Sequence, residues 1–128
     1  MAERSPDEKV ILIADDDSSL VTALAVRLEA WGFTVVTAFD GEEAYRQAVD
    51  NKPDVVLMDI KMPAASGLTC LDRMRHSIGT RRIPVIFITA FDDDETIEQA
   101  KALGAAGFFR KPFDDTKLKN AIDKAIGP

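Results

Sequence analysis

Cysteine is almost missing from this chain. Cys70 stands alone, so no internal disulfide and no thiolate metal cluster can form, and a reduced, intracellular setting is the expectation. A basic surplus is missing too. The 128 residues carry 22 acidic and 16 basic side chains, a net charge of −6, and the resulting field would repel nucleic acid and anionic lipid. No stretch approaches the roughly 18 consecutive apolar residues of a membrane-spanning helix. The segment from Met1 to Asp7 has no basic and apolar leader. These absences predict a soluble, cytoplasmic protein with no membrane and no direct nucleic-acid partner. What remains is ample for one folded unit: 46% of residues are apolar and 30% charged, which suits a single core at this length.

Short apolar runs recur, each followed by a segment of helical spacing, and that alternation marks βαβ units around a parallel sheet. Strands are predicted at Val10 to Ala14, Phe33 to Ala38, Val55 to Met58, Val85 to Thr89 and Gly107 to Phe109. Their near-continuous Val, Ile and Phe content fits strands covered on both faces. The first helix should start at Asp17 and Ser18, bury Leu20, Leu24, Leu28 and Trp31, and stop at Gly32. Three more follow, from about Gly41 to Val49, Ser66 to His76 and Asp93 to Leu103, with the run Asp92 to Glu95 as a solvated cap. The last should start after Pro112 with Asp114 as cap and bury Leu118, Ala121, Ile122 and Ala125. Cys70 reads as a small packed hydrophobe, and His76 as a cation suited to a helix C-terminus.

In open parallel sheets ligands bind beyond the carboxyl ends of the strands. The first strand ends in Asp15, Asp16 and Asp17, the third in Asp59 and the fourth in Thr89, while the fifth is followed by Arg110, Lys111 and Pro112. If the first and third strands are neighbours, several carboxylates, a hydroxyl and an ammonium converge on one pocket. Carboxylates that close repel one another unless a cation sits among them. Oxygen ligands with neither Cys nor His nearby suit Mg²⁺. The Asp triplet also reads simply as a solvated helix N-terminus, with Asp17 as its cap, and Asp59 as a turn residue before Met62 and Pro63.

The motifs Ile11-Leu12-Ile13-Ala14-Asp15-Asp16-Asp17, Val55-Val56-Leu57-Met58-Asp59-Ile60-Lys61-Met62-Pro63 with Gly67, Val85-Ile86-Phe87-Ile88-Thr89-Ala90 and Lys111-Pro112-Phe113, in this order, resemble the receiver domain of two-component response regulators. The resemblance implies a flavodoxin-like (βα)5 α/β fold, a doubly wound five-stranded parallel sheet of order 2-1-3-4-5, over residues 9–127; residues 1–8 read from their own sequence as a disordered segment. It implies phosphorylation of Asp59 by a histidine kinase or histidine phosphotransfer protein, with Mg²⁺ held by Asp15, Asp16, Asp59 and the main-chain carbonyl of Lys61. Lys111, Thr89 and the Ala90 N–H would bind the phosphoryl oxygens, and the Lys111–Pro112 bond would be cis. Thr89 and Phe108 would form the switch, with Phe108 otherwise plain core. The reading surface would run from about Asp92 to Lys124, over the fourth helix, fifth strand and last helix, where family members commonly form homodimers.

Such a domain catalyses only its own phosphorylation and dephosphorylation. A Mg²⁺-dependent phosphatase with an aspartyl nucleophile would want a second carboxylate where Lys61 stands, and a cap domain. A flavin or nucleotide carrier would want a Gly, Ser and Thr cradle after the first strand, where three aspartates stand instead. A degenerate receiver serving only as a docking scaffold would not need Asp15, Asp16, Asp59, Thr89 and Lys111 together. The chain carries no output domain or downstream target of its own, which fits a stand-alone regulator and an excised receiver equally. Phe91 and Lys61, each two residues past a site residue, are expected to hinder water and slow loss of the phosphoryl group.

Overall fold

A computed structural model describes residue 5 and residues 7–90 and 93–127. Five strands and five helices alternate along the chain: β1 (Val10–Ala14), α1 (Ser18–Ala30), β2 (Thr34–Ala38), α2 (Gly41–Asn51), β3 (Val55–Met58), α3 (Gly67–Arg75), β4 (Val85–Thr89), α4 (Asp94–Ala102), β5 (Gly107–Arg110) and α5 (Asp115–Ile126). All pairings are parallel and the order is β2-β1-β3-β4-β5, the flavodoxin-like arrangement expected. The register sets Ala14 beside Met58. Asp15 and Asp59, one residue further along each strand, therefore emerge side by side at the carboxyl edge, where the Asp59 N–H donates to the Ala14 carbonyl over 2.9 Å.

Two apolar layers flank the sheet. Leu12, Val56, Met58 and Phe87 face α2 and α3, packing with Ala44, Ala48, Leu71 and Met74. Ile11, Ile13, Leu57 and Ile88 face α1 and α5, packing with Val21, Leu24, Leu28, Leu118 and Ile122. Every residue of β1, β3 and β4 is buried, which is why these three runs read as continuous apolar stretches rather than alternating ones.

Several local expectations are corrected. β2 begins at Thr34 because the Phe33 N–H turns back to the Leu28 carbonyl and closes the end of α1. Asp17 caps α1, its carboxylate accepting from the Ser19 and Leu20 N–H groups, and this sets the helix phase so that Val21, not Leu20, is buried with Leu24 and Leu28. Leu20 and Trp31 are half-buried, as are Ala121 and Ala125 of α5 beside the buried Leu118 and Ile122. α2 runs on to Asn51 and ends at Lys52, which takes the left-handed conformation usual for glycine. Asp93 occupies the N-cap of α4 without a side-chain capping bond, and Asp92 lies outside the described residues. β5 extends to Arg110, paired with Thr89.

The loop after β3 is held by two close approaches. A Cβ at Gly41 would overlap the Ala65 carbonyl, and one at Gly67 would overlap the carbonyl oxygen of Asp59. Gly67 also donates its N–H to the Ile60 carbonyl at 2.6 Å, so the start of α3 is pressed onto the segment carrying Asp59. Between them Ala64 takes φ +67, a strained value for a residue with a Cβ. Gly67→Ala is expected to lower stability in urea titration by about 1–3 kcal/mol, as overpacking does. Ala64→Gly in the same loop should leave stability equal or up to about 1 kcal/mol higher, because the left-handed strain is relieved.

Candidate functional site

Asp15 and Asp59 are both buried, at 2% and 8% exposure, and Asp16 is exposed beside them. One carboxylate oxygen from each of the three lies within 4.8 Å of the others. Lys111, carried in by the loop after β5, bridges the two buried groups, with Nζ 2.7 Å from Asp15 Oδ2 and 3.0 Å from Asp59 Oδ2. The remaining oxygens meet backbone donors. Asp15 Oδ1 accepts from the Asp17 N–H at 2.9 Å, and Asp59 Oδ1 from the Ile60 N–H at 2.7 Å. The turn that caps α1 thus also orients Asp15.

Lys111 is fixed at its backbone by its N–H to the Thr89 carbonyl, 2.9 Å, and its bond to Pro112 is cis. Thr89 is fully buried at the end of β4. Beside the cluster, Ala90 joins Asp16, Asp59, Lys61, Met62 and Pro63 around an open cleft of about 450 Å³. Phe108 is half-buried on β5, opposite Phe87 on β4, their rings 6.3 Å apart and tilted by 58°. Phe91 lies outside the described residues.

Three carboxylates against one ammonium leave the cluster two charges negative when all are ionised. Burial pushes the Asp15 carboxyl above its usual 3.8, against the opposing pull of the Lys111 and Asp17 hydrogen bonds. Burial would likewise push Lys111 down, but its hydrogen bonds to Asp15 and Asp59 outweigh this and hold it above 10.5. The ammonium therefore persists through the neutral range. An all-oxygen donor set with an exposed third carboxylate and open space alongside fits a small hard divalent cation, so this pocket can hold a metal.

A family model described as the response regulator receiver domain matches residues 11–123. The chain belongs to the response regulator receiver domain family. It is 36% identical over 118 residues to the alkaline phosphatase synthesis transcriptional regulatory protein PhoP of Bacillus subtilis, covering 92% of this chain but 48% of that protein. Among solved structures, a receiver domain from Clostridium thermocellum superposes with a TM-score of 0.85 at 33% identity, covering 92% of this chain and 94% of the other. The chemotaxis protein CheY4 of Vibrio cholerae gives a TM-score of 0.85 at 28% identity, covering 92% and 98%. The chain spans about half, or less, of the curated relatives it matches.

The receiver fold brings Asp15, Asp16, Asp59 and Lys111 together as the sequence leads one to expect. Asp17 is the helix cap. Cys70, buried on α3, has its thiol pushed up to about 11 by burial, as befits packing rather than reactivity. His76 caps the end of α3, its ring 3.4 Å from Asp72. The positioning part played by Gly67 was not apparent from the motif, since the contact joins two segments whose spacing says nothing of their approach. Among the described residues no helix is long and apolar enough to cross a membrane.

Titration of this receiver with MgCl₂ should raise its melting temperature, by the equivalent of about 2.7 kcal/mol at a hundredfold excess over Kd. Asp16→Asn should abolish most of that rise while leaving the metal-free melt within about 0.5 kcal/mol, since this exposed carboxylate holds no hydrogen bond among the described residues. The pH dependence has a definite sign. With its pKa raised in the fold, Asp15 favours the metal-free native state fully below 3.8, and that contribution is lost as pH rises through the raised value. Protons thus compete with the metal, and Mg²⁺ stabilisation should begin to fade on acidification at a pH above 3.8.

Proposed function

We propose that this receiver accepts a phosphoryl group on Asp59 from a phosphohistidine of a histidine kinase or phosphotransfer protein, and signals through α4, β5 and α5. The observation that carries the reading is the placement of Asp59 and Asp15 on one ammonium with Asp16 at the open side. An Asp59 carboxylate oxygen attacks phosphorus, the P–N bond breaks, and the donor imidazole leaves with the electron pair and takes a proton. The nucleophile must be ionised and aimed, and the backbone bond from the Ile60 N–H to Oδ1 restrains its rotation.

Catalysis here is mainly positioning and neutralisation of charge on the transferred group. Lys111 moves from its bridge onto one phosphoryl oxygen, and the Thr89 hydroxyl with the Ala90 N–H serves another. Asp15, Asp16, Asp59 and the Lys61 carbonyl would hold Mg²⁺, which supplies charge neutralisation for the incoming oxygens. Lys61, exposed at the cleft, stands across the approach of water to the acyl phosphate. Phe108 is half-buried against Phe87, two residues before Thr89 on β4, a place from which it can take up a change at Thr89 by repacking. The downstream target is a protein surface or an output domain, in keeping with the greater length of the curated relatives.

Incubation with acetyl phosphate and Mg²⁺ should give a single phosphoryl adduct by intact mass, absent in Asp59→Asn and without Mg²⁺. An equal adduct on Asp59→Asn overturns the assignment. Lys61→Asn should shorten the adduct's lifetime, read as the decay of the adduct mass after removal of the donor, and an unchanged or longer lifetime removes Lys61 from the barrier to water.

A further inference from the structure

The amino edge of the sheet, opposite the carboxylate cluster, carries a second organised feature. The α3–β4 segment and the entry to β3 enclose a shallow groove of about 390 Å³, lined by Pro53, Asp54, Ile78, Arg81, Arg82 and Pro84 together with Gly79 and Ile83. Ile78 is 87% exposed, the most exposed of the large hydrophobic side chains among the described residues. Arg81 and Arg82 are exposed, and neither guanidinium pairs with a carboxylate among the described residues. By contrast, Arg27 pairs with Asp115 and Arg73 with Glu42, both at 2.9 Å. The Lys52 side chain adds a third positive charge at the rim, its Nζ 3.5 Å from where a Cβ on Gly79 would stand. Asp54, the one acid of the lining, has Oδ2 committed to the Val10 N–H at 2.8 Å.

The groove is braced from below. Thr80 is buried and its hydroxyl donates to the Met74 carbonyl at 2.8 Å. Arg75 of α3 donates to the carbonyls of Arg81 and Ile83 in this segment, and to those of Leu103 and Gly104 at the end of α4. Ile78 is therefore presented on a segment already tied in place, and little ordering entropy is left for an occupant to overcome.

We propose that this groove docks an acidic segment of a partner protein, which sets carboxylates on Arg81 and Arg82 and an apolar side chain against Ile78, Pro53 and Pro84. The charge pattern selects this occupant. On a chain of net charge −6 the adjacent exposed guanidinium groups of Arg81 and Arg82 attract a short anionic segment. A long polyanion would meet repulsion from the rest of the surface. β3 separates the groove from Asp59 by about 13 Å along the strand, so docking and phosphorylation do not exclude each other.

The test is a ¹⁵N chemical-shift titration of the whole chain with a short peptide of alternating glutamate and leucine. The largest shifts should fall on Ile78, Gly79, Arg81 and Arg82. Arg81→Glu with Arg82→Glu should weaken binding about tenfold or more, and Ile78→Ser about threefold, with the affinity falling as salt is added. Both variants should still accept a phosphoryl group from acetyl phosphate, which separates failure here from failure at Asp59. Should the reversed pair fail to fold, Arg81→Gln with Arg82→Gln carries the same comparison with a smaller expected loss. Shifts centred elsewhere, unchanged affinity in the variants, or equal binding of a lysine–leucine peptide overturn the proposal. So do concentration-dependent shifts at these residues without peptide, which would make a second copy the occupant, and equal binding of a single-stranded oligonucleotide.

Discussion

Electrostatic crowding at the carboxyl edge is the constraint around which this receiver is arranged. Asp15 and Asp59 leave adjacent strands at the same level, and burial makes ionising both costly. The Lys111 ammonium offsets that cost by meeting one oxygen of each, and backbone N–H groups take the other two. The arrangement is balanced but not neutral, with Asp16 left over at the exposed side. A site held this way responds strongly to any added charge: a divalent cation relieves the repulsion, whereas an anion alone would meet it. On the proposed function, the residues that make the pocket costly would favour entry of a cation before a phosphoryl group.

Everything that fixes these atoms lies in the fold rather than in the loops alone. The β1–β3 register aligns the two aspartates, the capping turn of α1 orients Asp15, and the close approach of Gly67 fixes the segment behind Asp59. Lys111 is anchored to β4 through the Thr89 carbonyl, so the segments that carry the ammonium and the hydroxyl are joined by a backbone hydrogen bond.

The strands β1, β3 and β4 were legible to the residue because a strand buried on both faces has no polar position to blur its ends. Asp59 was legible for the same reason, as an acid at the end of four apolar residues. The less regular boundaries were not. Phe33 closes a helix instead of opening a strand, and Lys52 ends α2 in a conformation for which glycine is the usual signal. Val21 replaced Leu20 in the core because helix phase follows from the Asp17 cap, and composition ranks Leu and Val alike. Arg75 was invisible as a brace, since its partners are four backbone carbonyls, which no sequence pattern names.

Those carbonyls bear on how the two edges of the sheet relate. Arg75 ties the α3–β4 segment to the end of α4, and Gly104 beyond it has φ +83, which a residue with a Cβ adopts only with strain. α4 is thus held at its carboxyl end, while its amino end follows β4 and the site beyond Thr89. A helix fixed at one end turns a displacement at the other into a tilt rather than a translation. On the proposed function, its exposed face and Phe108 would then change together, because Phe108 packs on Phe87 in the strand that ends at Thr89. A small adjustment at the carboxyl edge would in this way reach the α4–β5–α5 surface while the groove at the amino edge keeps its shape.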